Sequence, residues 1–387
     1  MTDAFFRWTR LLKWMLSVAM IAWIPLANPT MNAQSLPTPA MTGPLQTATP
    51  HTFDAGPFGT LNVTGVLSGF GMVQGNPVPG DDSAQGDLSN GQVFIQKTTG
   101  WWQFYLQAGA YDIPALATPF VSTADTVRNF YGPLPVGYLK FAPTKNFSIL
   151  IGKLPTLMGA ESTFTFENMN IERGLLCNQE NAVNRGIQLN QTLGKFTASL
   201  SWNDGFYSNR FSWLSGSLTY ADGPHSLAFE AMGNLGQTAF RTPATPVQNN
   251  GSMYAVVYTY TKGNWIVQPY LQYSDVPTNI KIGVAEGASV KGGALLINYN
   301  LQHGCSLAGR GEYISSTGGG QAVNLVFGPG SGGWSVTLSP AFQKHGFFVR
   351  GDLSMVQAVR LTPGDGFGPL GMNRSQFRGQ AEAGLMF

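Results

Sequence analysis

The property that most constrains this chain is a residue-by-residue alternation of apolar and polar side chains within many short segments. In residues 196–203 the even positions are Phe, Ala, Leu and Trp, and the odd positions are Thr, Ser, Ser and Asn. Residues 265–273 and 347–355 alternate in the same way. Successive side chains of a β-strand point to opposite faces, so each segment predicts a strand with one apolar and one polar face. A soluble sandwich alternates as well, so this pattern alone does not fix the fold class.

The connections between the segments separate a barrel from a sandwich, because short and long connections take turns along the chain. Short turns are expected at 99–100, 143–146, 194–195, 222–225, 262–264, 303–304 and 344–346. Longer connections are expected at 75–87, 112–132, 155–182, 204–210, 236–250, 275–288, 316–332 and 359–374. A barrel in an outer membrane has this arrangement, with short turns at one rim and long loops at the other.

The pattern therefore predicts an all-β fold, a transmembrane antiparallel β-barrel of about 16 strands with both termini on the periplasmic side. The expected strands are 60–74, 88–98, 101–111, 134–142, 147–154, 183–193, 196–203, 211–220, 226–235, 252–261, 265–274, 289–300, 305–315, 333–343, 347–358 and 375–387.

The composition fits a barrel that is embedded in lipid. Charged residues make up 11% of the chain, whereas an ordinary soluble domain has about 25%. Aromatic residues reach 12%, and the sequence has 48 glycines. After the first 33 residues we find no apolar stretch long enough for a membrane-spanning helix. A closed barrel needs no such stretch, because every backbone group pairs with a neighbouring strand.

The first 33 residues have the pattern of an export signal. Arg7, Arg10 and Lys13 precede an apolar run over 14–26, and a small residue, Ala33, follows it. The alternative is a membrane-spanning helix, which needs roughly 18 to 20 apolar residues, more than this run provides. The sequence therefore predicts cleavage near Ala33 and export to the bacterial outer membrane.

Three regions are expected along the chain. They are a signal peptide over 1–33, a flexible periplasmic leader over 34–58 that is rich in Pro, Thr and Ala, and one barrel domain over 59–387. The barrel domain includes the long loop 155–182.

Charge and cysteine content argue against several classes of protein. The predicted signal holds three of the 22 basic residues and one of the 20 acidic residues, which leaves 19 of each in the mature chain. A neutral mature chain is not expected to bind nucleic acid. Cys177 and Cys305 are predicted at opposite ends of the barrel and do not form a disulfide framework. The sequence contains no zinc-type motif, so no metal and no cofactor are expected.

The predicted last strand ends on an aromatic residue. Positions 377, 379, 381, 383, 385 and 387 are Phe, Gly, Ala, Ala, Leu and Phe, so one apolar face runs to the terminus. This ending resembles the recognition strand that the barrel assembly machinery reads on bacterial outer-membrane proteins. We therefore expect Phe387 to contact that machinery and outer-membrane lipid to cover the apolar face.

Three runs of sequence resemble one family of barrels. They are Ile-Gly-Lys-Leu-Pro-Thr-Leu-Met-Gly-Ala-Glu at 151–161, Ser-Trp-Asn-Asp-Gly-Phe at 201–206 and Phe-Phe-Val-Arg-Gly-Asp at 347–352. All three resemble the OmpL-like β-barrel porin family, and the similarity covers about 58–387. The resemblance implies an outer-membrane porin and assigns no solute-binding residue.

The alternation also assigns the lining of the barrel, which at about 16 strands is wide enough to hold an aqueous channel. Eight charged residues share a phase with polar neighbours: Lys140, Glu230, Arg310, Glu312, Arg350, Asp352, Arg378 and Glu382. A wall with charges of both signs would keep the lumen wet and create a transverse field. Alternatively, the charges pair with one another and stabilise the wall.

The longest connection, 155–182, is the candidate constriction loop. It carries Glu161, Glu167, Glu172 and Arg173, together with enough apolar side chains to pack against a wall. Long loops with their own apolar content tend to be functional. Two placements fit the sequence, an exposed cap over the pore mouth and a loop that folds into the lumen.

The predicted function is a water-filled pore for passive diffusion of ions and small polar solutes, in a chain that can form a homo-oligomer. No catalytic residues are predicted, because His225, His303 and His345 fall at periplasmic turns and His51 falls in the leader. Two other functions stay open. They are a transporter for hydrophobic compounds and a structural or adhesive barrel.

Overall fold

The computed structural model describes residues 39–236 and 247–387. The predicted signal peptide and the first residues of the predicted leader lie outside the described residues. The described chain forms seventeen strands with these bounds: β1 His51–Asp54, β2 Thr60–Gly75, β3 Ala84–Lys97, β4 Trp102–Tyr111, β5 Val136–Thr144, β6 Phe147–Pro155, β7 Val183–Leu193, β8 Phe196–Asn203, β9 Trp213–Asp222, β10 His225–Asn234, β11 Ser252–Lys262, β12 Trp265–Val276, β13 Ala288–Asn300, β14 Cys305–Ser316, β15 Gly332–Lys344, β16 Phe347–Val359 and β17 Ser375–Met386.

Helices are short and lie in the connections. The described α-helix is α1, Thr123–Asn129, and the 3-10 helices are Gly56–Phe58, Thr165–Glu167, Cys177–Gln179, Gln248–Asn250 and Ile280–Ile282. Ser122 caps α1, because its hydroxyl accepts a hydrogen bond from the backbone N–H of Asp125 at 3.2 Å. Within the described ranges, no helix is both long enough and apolar enough to cross a membrane.

Strands β2 to β17 form one closed antiparallel barrel of 16 strands. Each strand pairs with the next along the chain. The barrel closes where β17 pairs with β2, from Phe377 opposite Gly75 to Met386 opposite Val66. The predicted class and number of strands are therefore confirmed. The largest difference in bounds is at the start of β3, which begins at Ala84 instead of residue 88.

The two rims of the barrel differ in the length of their connections. Turns of a few residues join β3 to β4, β5 to β6 and each later pair of this kind, and these turns form the short-turn rim. The opposite rim carries the longer connections, among them 112–135 and 156–182. Strand β2 begins and β17 ends at the short-turn rim. The predicted alternation of short and long connections thus corresponds to the two rims of the barrel.

The outer face of the barrel is apolar. Outward-facing Leu67, Leu271 and Leu353 are each more than half exposed, although large aliphatic side chains in a soluble protein are mostly buried. Exposed aromatic side chains lie at the short-turn rim, where Trp101, Phe196, Trp265 and Phe347 are about half exposed. Aromatic girdles of this kind lie at the level of lipid headgroups in outer-membrane barrels. The outer surface is therefore suited to lipid.

The segment before the barrel is more ordered than its composition predicts. Strand β1 pairs with the start of β2, with His51 opposite Val63. Ahead of β1 the chain enters the interior of the barrel, where Leu45 is 1% exposed. The backbone of Gln46 exchanges hydrogen bonds of 2.7 and 2.8 Å with the side chain of Gln343. The described part of the predicted flexible leader is thus held by backbone pairing and apolar contacts that composition does not reveal.

Candidate functional site

The connection between β6 and β7, residues 156–182, lies inside the barrel, and we call it the inward loop. Phe164, Phe166, Ile171, Glu172 and Leu176 within it are at most 1% exposed. An exposed cap over the mouth would leave such side chains in water. Of the two placements that the sequence allows, the structure has the inward one.

Arg310 and Glu312, on β14, hold the middle of the inward loop. Arg310 Nη1 lies 2.5 Å from Glu161 Oε1 and also donates to the carbonyl of Glu172 at 2.7 Å. Glu312 accepts from the backbone N–H groups of Leu175 and Leu176 at 3.0 and 3.2 Å. A buried N–H without a partner is costly, so a carboxylate that accepts from two of them fixes the path of the loop.

Gly174 lies where the inward loop approaches this carboxylate most closely. A Cβ atom at Gly174 would meet Glu312 Oε1 at 2.2 Å, well inside contact distance. The backbone N–H of Gly174 donates to Glu161 Oε2 at 2.9 Å. Only glycine allows the backbone to come this near to the wall, so the glycine permits the close contact between the loop and β14.

Strand β16 repeats the arrangement with one cation and one anion. Asp352 accepts from the backbone N–H groups of Ile171 and Glu172 at 2.8 and 3.0 Å. Arg350 donates to the carbonyl of Asn168 at 3.0 Å and pairs with Glu382 of β17 at 2.7 Å. Both charges therefore contact the loop backbone.

Strand β17 contacts the inward loop with side chains of both signs. Arg378 Nη1 lies 2.7 Å from Glu172 Oε1 and also donates to the carbonyl of Ala115 at 2.9 Å. Glu382 accepts from the hydroxyl of Thr165 at 3.0 Å. Asn170 of the loop also donates to the hydroxyl of Ser339 on β15 at 2.6 Å, so the four successive strands β14 to β17 bind one side of the loop.

The inward loop is also held by β10 and β12, on the other flank of β14. Glu230, on β10, accepts from the backbone N–H of Gly159 at 2.7 Å. Glu180 of the loop accepts from Gln272, on β12, at 2.7 Å and from the hydroxyl of Tyr270. The loop leaves the wall at β6 and reaches β14, which lies across the barrel, so it crosses the lumen.

Seven of the eight charges predicted to line the barrel contact the inward loop: Glu230, Arg310, Glu312, Arg350, Asp352, Arg378 and Glu382. All eight face inward, as expected from the alternation. Lys140 is also buried, on β5, where it lies opposite Gln103 and Leu150 of the neighbouring strands. These seven charges do not stand free in the lumen, because the loop contacts them.

The four charged residues singled out within the loop have different partners. Glu161 and Glu172 pair with wall arginines. Glu167 instead accepts from the backbone N–H of Ala40 at 3.3 Å and so contacts the leader. Arg173 donates to the carbonyl of Ile113, in the connection after β4, at 3.3 Å.

The wall formed by β7 to β10 has a different character. Several of its inward-facing side chains are neither buried nor charged, and they keep partial exposure: Asn190, Thr197, Ser199, Ser217 and Thr219. A cavity of about 240 Å³ lies on this side of the inward loop and reaches Ser217 and Glu230. Hydroxyl and amide groups therefore line the wall of β7 to β9, whereas the cavity itself is also bordered by the carboxylates of Glu161, Glu167 and Glu230 and by apolar side chains of the inward loop.

Several groups that take part in this site are not marked by the sequence alone. The leader crosses the inward loop, where the N–H groups of Thr42 and Gly43 donate to the carbonyl of Glu167. Ser89, on β3, donates to Glu382 at 2.6 Å, and Gln272 binds Glu180. Uncharged polar residues on strands give no local signal of such contacts. Only the inward phase of their positions could have marked them as candidates.

The fold and the charged interior define a protein of the porin type, an outer-membrane β-barrel with a loop inside its lumen. The family model described as "Putative beta-barrel porin-2, OmpL-like" matches residues 60–387. The chain belongs to this family, as the resemblance indicated. No curated protein sequence matches the chain significantly.

Solved structures of other barrels share the fold at low sequence identity. The outer-membrane channel DcaP of Acinetobacter baumannii aligns with a TM-score of 0.58 at 11% identity, over 84% of this chain and 97% of that one. In-vitro folded OmpT of Vibrio cholerae gives 0.54 at 13% identity, over 85% and 97%. OmpF of Salmonella typhi, solved with daunomycin, gives 0.54 at 10% identity, over 85% and 98%. These similarities support the fold alone.

Proposed function

We propose that this protein is a passive diffusion channel for ions and small polar solutes and that the inward loop forms its constriction. The observation that carries the proposal is the difference between the two sides of the loop. On one side the wall charges are buried and are held by ion pairs or by hydrogen bonds to the loop. On the β7 to β10 side, hydroxyl and amide side chains keep contact with water. A wall of neutral polar groups lets hydrated solutes pass without holding them strongly, and the carboxylate of Glu230 adds an acidic group beside it.

The charged residues have a different role in this proposal from the one that the alternation suggests. Arg310, Glu312, Arg350, Asp352 and Arg378 act mainly by holding the constriction in place. Their burial supports this role, because a solute in the lumen would reach the loop before it reached them. Fixed geometry at a constriction gives a sharp size limit, so the anchors control selectivity through the position of the loop.

The test is electrical. Purified protein added to a planar bilayer in potassium chloride should give stepwise conductance increases, and proteoliposomes should swell in small sugars and progressively less in larger ones. Heat-unfolded protein is the control. Absence of steps would contradict the channel and favour the structural or adhesive barrel. Uptake of a hydrophobic compound without swelling in sugars would favour the transporter for hydrophobic compounds. We propose no catalytic role.

We also propose that the short-turn rim faces the periplasm and that the mature chain starts after Ala33. The long connections at the opposite rim support this orientation, since loops that face outward are usually the longer ones. Intact mass of protein purified from outer membranes tests the cleavage. A single cysteine in the turn at 223–224, in a background without Cys177 and Cys305, should resist labelling from outside the cell. Ready labelling would reverse the orientation.

Phe387 is proposed as the contact for the barrel assembly machinery. Its backbone exchanges hydrogen bonds of 2.6 and 3.0 Å with Gly65, and its side chain is 42% exposed on the lipid face. Phe387→Ala is expected to lower the amount of assembled protein in the outer membrane several-fold. Phe377→Ala is the matched control, since Phe377 lies on β17, which Phe387 directly follows, and is 52% exposed on the same face. Equal losses would assign the effect to lipid contact instead of recognition.

Self-association remains a prediction. The outer surface is apolar all around, and an interface between protomers would resemble the lipid-facing surface. Light scattering with correction for bound detergent separates a monomer from a homo-oligomer.

A further inference from the structure

A second cavity lies against the inward loop and has no part in the passage described above. It encloses about 290 Å³ between the loop and the segment 112–131. Phe70, Phe120, Phe130 and Phe206 line part of it, and the rings of Phe70 and Phe120 lie 6.0 Å apart between centroids. Its volume is near the lower end of the roughly 300 to 1,000 Å³ typical of ligand pockets. The cavity therefore suits a small molecule with an apolar body.

Two guanidinium groups border the cavity, and only one of them is committed to a carboxylate. Arg378 pairs with Glu172 at 2.7 Å. Among the described residues, Arg173 forms no ion pair. Its Nη2 donates to the carbonyl of Ile113 at a long 3.3 Å, and its buried Nε has no partner. A guanidinium has five N–H donors, so most of those on Arg173 are available to a ligand.

The backbone holds Arg173 firmly in this position. Its N–H donates to the carbonyl of Pro114 at 3.0 Å, and its carbonyl accepts from the N–H of Leu116 at 3.0 Å. Arg173 thereby forms an isolated parallel bridge with Ala115. A donor group on a fixed backbone loses little entropy when a ligand binds, which favours affinity.

The acidic groups around the cavity attract Arg173 at longer range but are held by other partners. Asp112, just beyond the end of β4, accepts from the N–H of Ile113 at 2.7 Å and from the hydroxyl of Thr126 at 3.2 Å. Burial raises the pKa of Asp112 to about 7, so part of it is uncharged at neutral pH. Glu180 is bound by Tyr270 and Gln272 of the wall. Among the described residues, the cavity is therefore left with one guanidinium, that of Arg173, which no carboxylate approaches within ion-pair distance.

We propose that this cavity binds a small organic monocarboxylate with an aromatic or other compact apolar body. Its carboxylate would lie on the guanidinium of Arg173, and its body would pack against the phenylalanine side chains. Arg–carboxylate pairs are short and often bidentate, and the apolar wall rejects small hydrophilic anions. The cavity borders the inward loop, so the inference deepens the proposed channel function and rests on it. Such solutes would bind beside the constriction before they pass it.

The experiment uses benzoate as the probe, with benzamide as its neutral counterpart and benzylamine as its cationic one. Isothermal titration calorimetry on the folded protein in detergent measures binding without any need for conductance. Benzoate should bind at least about tenfold more tightly than benzamide, because a charged hydrogen-bonded contact is lost in the amide. In planar bilayers, benzoate should also reduce the channel current in a saturable way.

Variants of Arg173 test whether its guanidinium binds the carboxylate of benzoate. Arg173→Gln should weaken benzoate binding about tenfold, and Arg173→Lys should recover part of it. Arg128→Gln is the control, since Arg128 is an exposed cation on α1 in the same segment. Equal binding of benzoate and benzamide, preference for benzylamine, or unchanged affinity in a folded Arg173→Gln protein would overturn the inference. Failure of the proposed channel looks different, because calorimetry would still detect benzoate while potassium chloride gave no conductance.

Discussion

Replacement of residues 162–176 by a short Gly-Ser linker should raise single-channel conductance at least about twofold, because a 16-stranded barrel without its internal loop is an open aqueous channel. The deleted stretch includes Phe164, Phe166 and Ile171, which are at most 1% exposed inside the lumen. Their removal opens the passage over the cross-section that the loop occupies. Conductance in planar bilayers in potassium chloride is the measurement.

The leader provides a graded comparison for this experiment. It touches the inward loop where Thr42 and Gly43 donate to the carbonyl of Glu167. Exchange of residues 40–47 for a Gly-Ser stretch of equal length should raise conductance less than the loop deletion, because the loop itself keeps its wall anchors. Unchanged conductance in the loop deletion, with the barrel folded as judged by a heat-dependent shift on a gel, would show that the loop does not limit the passage.

The barrel could be predicted from the sequence because the pattern that defines a strand is local. Alternation over eight or more residues assigns the two faces of a strand, and strand β8, expected at 196–203, lies at Phe196–Asn203 in the structure. The alternation of short and long connections then gave the closure and the number of strands. Neither step required knowledge of how side chains pack.

The placement of the loop and of the leader could not be derived in the same way. Whether residues 156–182 enter the lumen depends on partners more than a hundred residues away, such as Glu161 with Arg310 and Glu172 with Arg378. The same charges are compatible with a wet wall or with a covered one. Leu45 likewise lies in a stretch rich in Pro and Thr, and only the apolar side chains packed around it explain its burial. The loop and the leader are therefore held in place by tertiary contacts, which the local sequence does not show.

The anchors explain why the interior holds so many charges although charge is scarce in the chain as a whole. A loop that crosses a barrel has to satisfy its own backbone far from any strand. Glu312 and Asp352 each accept from two consecutive loop N–H groups, at 2.8 to 3.2 Å. Arg310 and Arg350 are donors, and they donate to carbonyls of the same loop. Cations and anions on alternate wall positions therefore suit a polar backbone, which presents donors and acceptors in turn.

Arg310→Met should destabilise the folded protein strongly, because it leaves the buried carboxylates of Glu161 and Glu312 without their cation. Removal of one partner of a buried pair typically costs about 3–5 kcal/mol. The Arg310 and Glu161 side chains are 0% and 4% exposed and their charged atoms lie 2.5 Å apart. The temperature at which the folded band converts to the unfolded band on a gel should fall clearly. Channel current should also become noisier, as the loop loses an anchor.

The matched control for Arg310→Met is Lys195→Met, which removes a pair of similar length in water. Lys195 and Asp222 lie 2.6 Å apart with side chains about half exposed, and such surface pairs contribute little. Its conversion temperature should stay at the wild-type value. The double variant Arg310→Met with Glu161→Gln should recover part of the loss, because one stranded charge is then removed. Two outcomes would contradict this role for the buried Arg310 pair. One is an equal fall of the conversion temperature in Arg310→Met and Lys195→Met, and the other is no recovery in the double variant.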